Sequence, residues 1–152
     1  MQKLSIGIVA LNEEKFLPNL LEDILAQTYD HSLIEVLLID SGSSDATKQL
    51  MLDFKDKYQT EFSGIQVLDN PGRIQSAGWN VAINNFTGDS LTRIDAHTKI
   101  DKDFCKFVAE NLEIGEFVVG GKRPCLIEND NNWARTLLQV ENSLFGSSIL
   151  KS

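Results

Sequence analysis

Cysteine is scarce in this chain, and long apolar runs are missing. The two cysteines, Cys105 and Cys125, are too few for a disulfide framework and lack the paired spacing of a zinc site. A reducing compartment, the cytoplasm, is therefore expected. No apolar run reaches the roughly 20 residues that a membrane-spanning helix needs, and no leader peptide is recognisable. We therefore expect no membrane segment within this sequence.

Basic residues are also in short supply. Lysine and arginine number 14 against 22 aspartates and glutamates, which gives a net charge of −8. Such a surplus of negative charge disfavours general binding to nucleic acid or to anionic membranes. It remains compatible with a phosphate ligand, because a bound divalent cation offsets local negative charge. Nucleic acid is therefore not an expected partner.

The common nucleotide-binding signatures are absent as well. No GxGxxG follows the first apolar segment, and the chain contains no GxxxxGK[ST] loop. A phosphate cradle built from backbone amides is therefore not expected. A metal ion held by acidic side chains is the main alternative way to bind phosphate.

The chain does contain a regular alternation of short apolar segments with amphipathic ones. Buried strands are predicted at 4–10, 33–40, 65–70, 90–95 and 115–121. Helices are predicted at 13–28, 41–58, 73–86, about 101–112 and 131–146. Strands that are apolar throughout and alternate with helices indicate an α/β fold, with a parallel sheet covered by helices on both faces.

Polar residues follow each of the first four strands. Ligands of open parallel sheets bind outside the carboxyl ends of the strands, so the loops at 10–13, 40–44, 70–73 and 95–97 are expected to share one rim. The last loop lies in "RIDAHTKID", where a strand ends on Asp95 and His97 follows. Residues two apart on a strand point to the same side, so both could face one metal ion. A capping aspartate and a surface histidine are the simpler alternative.

Five blocks of the sequence resemble one enzyme family in their order and spacing. They are "SIGIVALNEEKFLPNLLEDILAQT", "IEVLLIDSGSSDATKQLM", "NPGRIQSAGWNVAINNFTGD", "LTRIDAHTKIDKDF" and "VVGG". Over residues 4–121 the chain is similar to family 2 glycosyltransferases, the inverting GT-A enzymes, and among them to the succinoglycan-biosynthesis type, whose metal motif reads D-x-H. The resemblance implies a Rossmann-like GT-A fold. It implies a nucleotide-sugar-binding core at 1–121 and the incomplete start of an acceptor-side region at 122–152.

The resemblance gives Asp95 and His97 a role in metal binding. In the family this position binds Mn²⁺ or Mg²⁺ on the diphosphate of a sugar nucleotide, and an imidazole tilts the preference toward Mn²⁺. The ion would offset charge that develops on the leaving diphosphate. Histidine replaces the commoner aspartate at residue 97, which makes Asp95 the firmer of the two predicted ligands.

The resemblance also gives roles in nucleotide-sugar binding to residues of the first three loops. Asp40 would accept the imide N–H of uracil, although simple capping of the next helix is an alternative. Ala10 and Leu11 stand where the family holds base and ribose, commonly with Thr and Tyr. Glu13 would face the ribose hydroxyls, or else only favour the start of a helix. Arg73 would lie near the base or the diphosphate, or else be a solvated side chain.

The implied activity is transfer of a sugar from a nucleoside-diphosphate sugar, expected to be a UDP-sugar, to a hydroxyl of a glycan or lipid-linked acceptor with inversion. Synthesis of a polysaccharide or cell-surface glycan is the expected setting. The family's general base lies beyond "VVGG", so this chain alone is expected to be inactive. A sugar-phosphate nucleotidyltransferase remains an alternative, although "ALNEEKF" lacks the Gly- and Arg-rich loop of that class. A non-catalytic nucleotide-binding module is the second alternative.

Two further expectations concern assembly and location. The predicted last helix carries an apolar face whose exposure would favour self-association; the face comprises Leu137, Leu138, Val140 and Leu144. Synthesis of surface glycans leaves room for an association of the full-length protein with the inner face of a membrane.

Overall fold

A computed structural model describes residues 1–116 and 119. The strands are β1 (Leu4–Ala10), β2 (Ile34–Asp40), β3 (Gly64–Asp69) and β4 (Ser90–Asp95). The helices are α1 (Leu17–Leu25), α2 (Thr47–Tyr58), α3 (Gln75–Asn85) and α4 (Phe104–Glu113), with a short 3-10 helix at His31–Leu33. The predicted alternation is confirmed over this part of the chain. Among these helices, none is long and apolar enough to cross a bilayer.

The fifth predicted strand, at 115–121, is not formed by the residues of that segment that are described. Gly115, Glu116 and Val119 lie outside any strand. Gly115 has φ 97, a left-handed value that lets the chain turn away after α4. The other residues of this segment, and the helix predicted at 131–146, lie outside the described residues.

The four strands form one parallel sheet in the order β3-β2-β1-β4. Strand β1 is central, because it pairs in parallel with β2 on one side and with β4 on the other. The chain steps from β1 through β2 to β3 and then returns past β1 to form β4. All four carboxyl ends therefore meet at one edge of the sheet, and the direction of the chain reverses between β1 and β4.

Helices cover both faces of the sheet. The larger apolar cluster joins strand residues such as Ile6 and Val36 to buried side chains of α1, α2 and α4. The smaller cluster joins Leu37 and Ile39 to Ala82 of α3. Crossovers between parallel strands are right-handed, so the reversed path into β4 places α3 on the face opposite the other helices. The predicted α/β fold with a sheet covered on both sides is confirmed.

Helices α1 and α2 begin later than the sequence predicts, because the preceding residues form loops at the carboxyl edge. Helix α1 begins at Leu17 rather than at residue 13, with Pro18 in its first turn, where no backbone N–H is required. Helix α2 begins at Thr47 rather than at residue 41. Residues 14–16 form a turn ahead of α1, and Gly42, inside the helix predicted over 41–58, has φ 82, which a right-handed helix cannot include.

A buried carboxylate ties together the amino-terminal end of the sheet. Glu35 of β2 is only 3% exposed. It accepts hydrogen bonds from Ser5 Oγ at 2.5 Å and from the backbone N and Oγ1 of Thr87, each at 2.8 Å. Burial by itself raises the pKa of Glu35, but these hydrogen bonds outweigh it and hold the pKa below its usual value. The network fixes the loop that leads from α3 into β4.

Candidate functional site

The carboxyl edge of the sheet gathers the residues that the sequence singles out as site candidates. Ala10, Asp40 and Asp95 are the last residues of β1, β2 and β4. The other candidates lie in the loops that follow these strands and β3. The crevice between the loops after β1 and β4 is where the strand order reverses, which is the usual ligand site of such sheets. The predicted shared rim is therefore present.

The loops after β1 and β2 are joined by hydrogen bonds. Asn12 Oδ1 accepts from the backbone N of Ser44 at 2.8 Å, and the backbone N of Asn12 donates to Ser43 Oγ at 3.0 Å. The backbone N of Glu13 donates to Thr47 Oγ1 at 2.8 Å. These contacts fix Glu13 at the rim. The sequence predicts a helix over 41–58, and it gives no sign of the pairing with Asn12 because the partners lie 31 and 32 residues apart.

Ala10 and Leu11 present different groups to the rim. The Ala10 side chain is buried, and its carbonyl accepts from the backbone N of Ser41 at 2.9 Å. Leu11 is 47% exposed at the start of the loop. An aliphatic side chain is therefore available for contact with a ligand here, while Ala10 keeps β1 against β2.

Asp40 is buried at the end of β2 and forms part of a shallow pocket. Its two carboxylate oxygens accept hydrogen bonds from the backbone N–H groups of Gly42, at 3.2 Å, and Ser43, at 3.1 Å. Asp40 therefore holds the loop after β2 rather than capping the first turn of α2. The pocket has a volume of about 430 Å³ and is lined by Asp40, Gly42, Ser43, Lys48, Asp69, Asn70, Pro71 and Arg73.

Arg73 closes one side of this pocket. Its Nη2 donates to the carbonyl oxygen of Gly42 at 3.0 Å. The guanidinium lies so close to Gly42 that a Cβ there would be 2.9 Å from Arg73 Nε. Arg73 has φ 54, a left-handed backbone value that is uncommon for a residue with a side chain. Arg73 is nevertheless exposed, so its predicted role in nucleotide-sugar binding stays a prediction.

A second basic side chain lines the same pocket. Lys48 of α2 donates from Nζ to Asp69 Oδ1 at 2.6 Å, and this hydrogen bond raises the pKa of Lys48. The pair joins the start of α2 to the end of β3. Sequence reasoning missed Lys48, since a lysine on an amphipathic helix usually faces solvent.

Asp95 is held by two side chains rather than standing free. Its Oδ1 lies 3.2 Å from Arg93 Nη2, 3.4 Å from Arg93 Nε and 3.4 Å from Gln75 Nε2 of α3. The Asp95 side chain is 18% exposed. The Arg93 guanidinium lies over the Trp79 ring, 4.9 Å from its centroid. Neither Arg93 nor Gln75 was singled out in the sequence.

His97 pairs with Glu13 across the crevice. Nδ1 of His97 lies 3.3 Å from Glu13 Oε1. The turn that carries His97 is closed by a hydrogen bond from the backbone N of Thr98 to the carbonyl oxygen of Asp95 at 2.9 Å. The structure therefore places Asp95 with Arg93 and places His97 with Glu13.

The chemistry of these donors fits a metal site that a nucleotide completes. Within the described residues, no three His, Cys, Asp or Glu side chains form a cluster that could hold an ion by themselves. Asp95 ends β4 and His97 lies in the turn that follows, so the strand alternation expected to send both side chains to one ion does not extend to His97. Each residue offers a single donor group. Mg²⁺ and similar ions are commonly held by one or two protein ligands together with substrate phosphates and water. The residues therefore suit an ion delivered with a diphosphate, and not a preformed protein cage.

Cys105 and His31 carry reactive side chains, but both are packed away from the site. Burial raises the pKa of the Cys105 thiol to about 12, so the thiolate needed for nucleophilic or metal chemistry does not form near neutral pH. The ring of His31 stacks on Phe62 with centroids 4.5 Å apart. Neither residue belongs to the carboxyl edge.

Comparison with known proteins identifies the family. Residues 5–151 match Glycosyl transferase family 2, and the chain belongs to this family. It is 34% identical over 108 residues to the succinoglycan biosynthesis protein ExoA of Rhizobium meliloti (strain 1021), which covers 70% of this chain and 31% of that protein. It is 32% identical over 106 residues to the dolichyl N-acetyl-alpha-D-glucosaminyl phosphate 3-beta-D-2,3-diacetamido-2,3-dideoxy-beta-D-glucuronosyltransferase of Methanococcus voltae, covering 70% of this chain and 32% of that protein. The chain thus spans about a third of the length of these relatives.

Two solved glycosyltransferase structures share the fold. TarS of S. aureus, residues 1–349 in complex with UDP-GlcNAc, superposes with a TM-score of 0.60 at 23% identity, covering 74% of this chain and 31% of that one. The mannosyltransferase PcManGT of Pyrobaculum calidifontis, in complex with GDP-Man and Mn²⁺, gives a TM-score of 0.67 at 20% identity, covering 81% and 36%. The GT-A fold implied by the sequence resemblance is therefore confirmed.

Proposed function

We propose that the whole protein transfers a sugar from a UDP-sugar to a hydroxyl of a glycan or lipid-linked acceptor, with inversion, in polysaccharide or cell-surface glycan synthesis. Membership of family 2 supports sugar transfer. The observation that carries the donor proposal is the layout of the edge, where buried Asp40 ends β2 and Asp95 ends β4, with β1 between them. Two strand spacings are about 10 Å, a span that suits a nucleoside diphosphate lying across the edge.

The pocket at Asp40 is the proposed site for the base. A carboxylate has about four acceptor positions, so Asp40 can accept the N3–H of uracil while it holds Gly42 and Ser43. Cytosine offers an acceptor at the same position and would face the carboxylate unfavourably. Arg73 and Lys48 line the pocket on either side and supply donors for the uracil carbonyls.

The loop after β1 is the proposed site for the ribose. Glu13 is fixed by Thr47 and by His97, and its position between the base pocket and Asp95 supports a place beside the sugar hydroxyls. Exposed Leu11 offers apolar contact, and Ala10 holds the strand end beneath it. Arg73 lies beside the base pocket and not at the diphosphate end of the proposed site.

The diphosphate is proposed to lie at Asp95 and His97. These two residues would hold Mn²⁺ or Mg²⁺, and the imidazole favours Mn²⁺. When bound, the ion offsets the charge that develops on the leaving diphosphate. Two fold relatives support both parts, since one was solved with UDP-GlcNAc and another with GDP-Man and Mn²⁺.

Isothermal titration calorimetry tests this proposal. UDP and UTP would each be titrated into the protein with Mn²⁺ present and, separately, with EDTA. We expect UDP to bind with Mn²⁺ and to lose most of its affinity in EDTA. Equal affinity in both conditions would remove the metal from the donor site. A clear preference for UTP would instead favour nucleotidyl transfer, because a sugar transferase must hold the diphosphate as its product.

A further inference from the structure

We propose that Arg93 is a positioning residue for Asp95 that makes binding of the divalent cation depend on the diphosphate. This inference rests on the proposed donor site. Arg93 lies two residues before Asp95 on β4, so both side chains emerge on the same face of the sheet. Two guanidinium nitrogens, Nη2 and Nε, approach the same carboxylate oxygen, Oδ1, at 3.2 and 3.4 Å.

The surroundings hold Arg93 in this position. Its guanidinium carbon lies 4.9 Å from the centroid of the Trp79 ring, an arrangement that favours a cation over an aromatic face. The Trp79 ring is itself packed closely on β1, since a Cβ at Gly7 would lie 3.1 Å from Trp79 Cζ3. A surface arginine would not ordinarily keep one orientation, but this one has an aromatic support.

All three of these contacts to the Asp95 carboxylate fall on Oδ1. Gln75 Nε2 adds the third, at 3.4 Å, from the first turn of α3. Donors grouped on one oxygen fix the plane of the carboxylate and leave Oδ2 as the oxygen to offer to a cation. Arg93 therefore acts through Asp95 and orients it.

The charge of Arg93 has a second consequence. A divalent cation that approaches Asp95 without a nucleotide meets a carboxylate already paired with a guanidinium, and the two cations repel each other. A diphosphate brings several negative oxygens that suit both cations at once. The planar guanidinium matches phosphate oxygens well and can share them with the ion. Metal alone should therefore bind weakly, and metal with UDP should bind much more tightly.

The test compares wild type with Arg93→Gln, Arg93→Lys and Lys106→Gln. The last removes one exposed positive charge from α4, which packs on the opposite face of the sheet. Free Mn²⁺ would be followed by electron paramagnetic resonance, with and without saturating UDP. Circular dichroism would confirm that each variant is folded.

We expect Arg93→Gln to bind Mn²⁺ alone more tightly than wild type. The factor by which UDP tightens Mn²⁺ binding should fall by about fivefold or more, the lower end of ordinary coupling between two sites. Arg93→Lys should keep weak binding of Mn²⁺ alone, because the charge remains, and Lys106→Gln should match wild type. A purely structural role for Arg93 would weaken both kinds of binding without the gain for Mn²⁺ alone.

The outcomes separate this inference from the proposed function. A wild-type protein that fails to bind UDP with Mn²⁺ would overturn the donor site, and the role of Arg93 with it. Wild-type binding together with unchanged coupling in folded Arg93→Gln would overturn the role of Arg93 alone and leave the donor site standing.

Discussion

Oε1 of Glu13 lies 3.3 Å from Nδ1 of His97, and this contact joins the loop after β1 to the loop after β4. The two residues are 84 positions apart in the sequence, but their strands are neighbours in the sheet. A carboxylate that engages one ring nitrogen of a histidine orients the ring and leaves the other nitrogen for a metal or ligand. We infer that Glu13 orients His97 at the diphosphate end of the proposed site.

Glu13→Gln tests that role. An amide keeps the shape of the carboxylate but loses its charge, so the imidazole is held less firmly. We expect the affinity for UDP with Mn²⁺ to fall by about 10-fold, the lower end of the effect of altering a partner of a metal-ligating histidine. Affinity measured calorimetrically in EDTA should fall less, because only the contact with the ribose is then altered. Equal losses in the two conditions would mean that Glu13 acts on the nucleotide alone and has no link to the ion.

Asp95→Ala and His97→Ala distinguish the two proposed metal ligands. We expect Asp95→Ala to weaken UDP binding with Mn²⁺ by about 10-fold or more. His97→Ala should cost less, because an imidazole supplies a ligand atom without negative charge. In EDTA, Asp95→Ala should bind UDP no worse than wild type, since Arg93 is then free to approach the diphosphate. A larger loss for His97→Ala would reverse the assignment.

Asp40 should select the base. Comparison of UDP, CDP and GDP by calorimetry in the presence of Mn²⁺ should show UDP binding most tightly. With CDP, the acceptor N3 of cytosine would face the buried carboxylate of Asp40, which costs about 1–3 kcal/mol. The preference for UDP over CDP should therefore be about 5-fold or more. Asp40→Asn should lose much of this preference. Its folding must be checked, because the carboxylate also accepts from Gly42 and Ser43. A flat response of wild type to all three nucleotides would count against a uracil site.

Much of this architecture could be read from the sequence because it follows from local pattern. The strand ends at Ala10, Asp40 and Asp95 match the predicted ends, since each is the point where an apolar run meets polar residues. Parallel pairing then brings the loops together without further information. The shared rim could be predicted for this reason.

The contacts within the rim could not be read in the same way. The partner of His97 is Glu13, and the partner of Lys48 is Asp69; each pair depends on the order of the strands in the sheet. The sequence did not mark Arg93 as a site residue, because one charged residue on the exposed face of an otherwise apolar strand is common. The residue type at one position does not indicate which distant residue it will contact.

Gly78 should not tolerate a larger side chain, although it lies within a helix. Alanine is favoured over glycine in a helix by about 1 kcal/mol. Here a Cβ at Gly78 would lie 2.5 Å from Val9 Cγ1, so α3 would have to move away from β1. Overpacking of this kind costs about 1–3 kcal/mol, and we expect Gly78→Ala to destabilise the fold.

Urea denaturation measures this effect, with Gly64→Ala as the matched control. A Cβ at Gly64 meets nothing within 4 Å, so that variant should stay close to wild type. If Gly78→Ala were more stable than wild type, helix propensity would outweigh packing, and α3 would not lie as close to β1 as described.

Glu35 should make the fold less stable in acid. Its pKa in the folded chain is lowered, because the hydrogen bonds from Ser5 and Thr87 outweigh the effect of burial. A group with a lowered folded pKa contributes stability above its unfolded pKa, about 4.3 for glutamate, and loses that contribution as the pH falls through the folded value. In Glu35→Gln, the amide loses the negative charge that strengthens the hydrogen bonds from Ser5 and Thr87, and only one of its two polar groups can still accept. We expect this to cost about 1–3 kcal/mol at pH 7.

Urea denaturation of wild type, Glu35→Gln and the exposed control Glu61→Gln between pH 7 and pH 3 measures this contribution. The difference between wild type and Glu35→Gln should be constant near neutral pH and shrink below about pH 4.3. Glu61→Gln should show little difference at any pH, because that side chain is exposed. UDP affinity of folded Glu35→Gln should be unchanged, since residue 35 lies five residue steps along β2, about 16 Å, from Asp40. A difference that stays constant down to pH 3 would mean that the pKa of Glu35 is the same in the folded and unfolded chain, and that its hydrogen bonds do not favour the charged form.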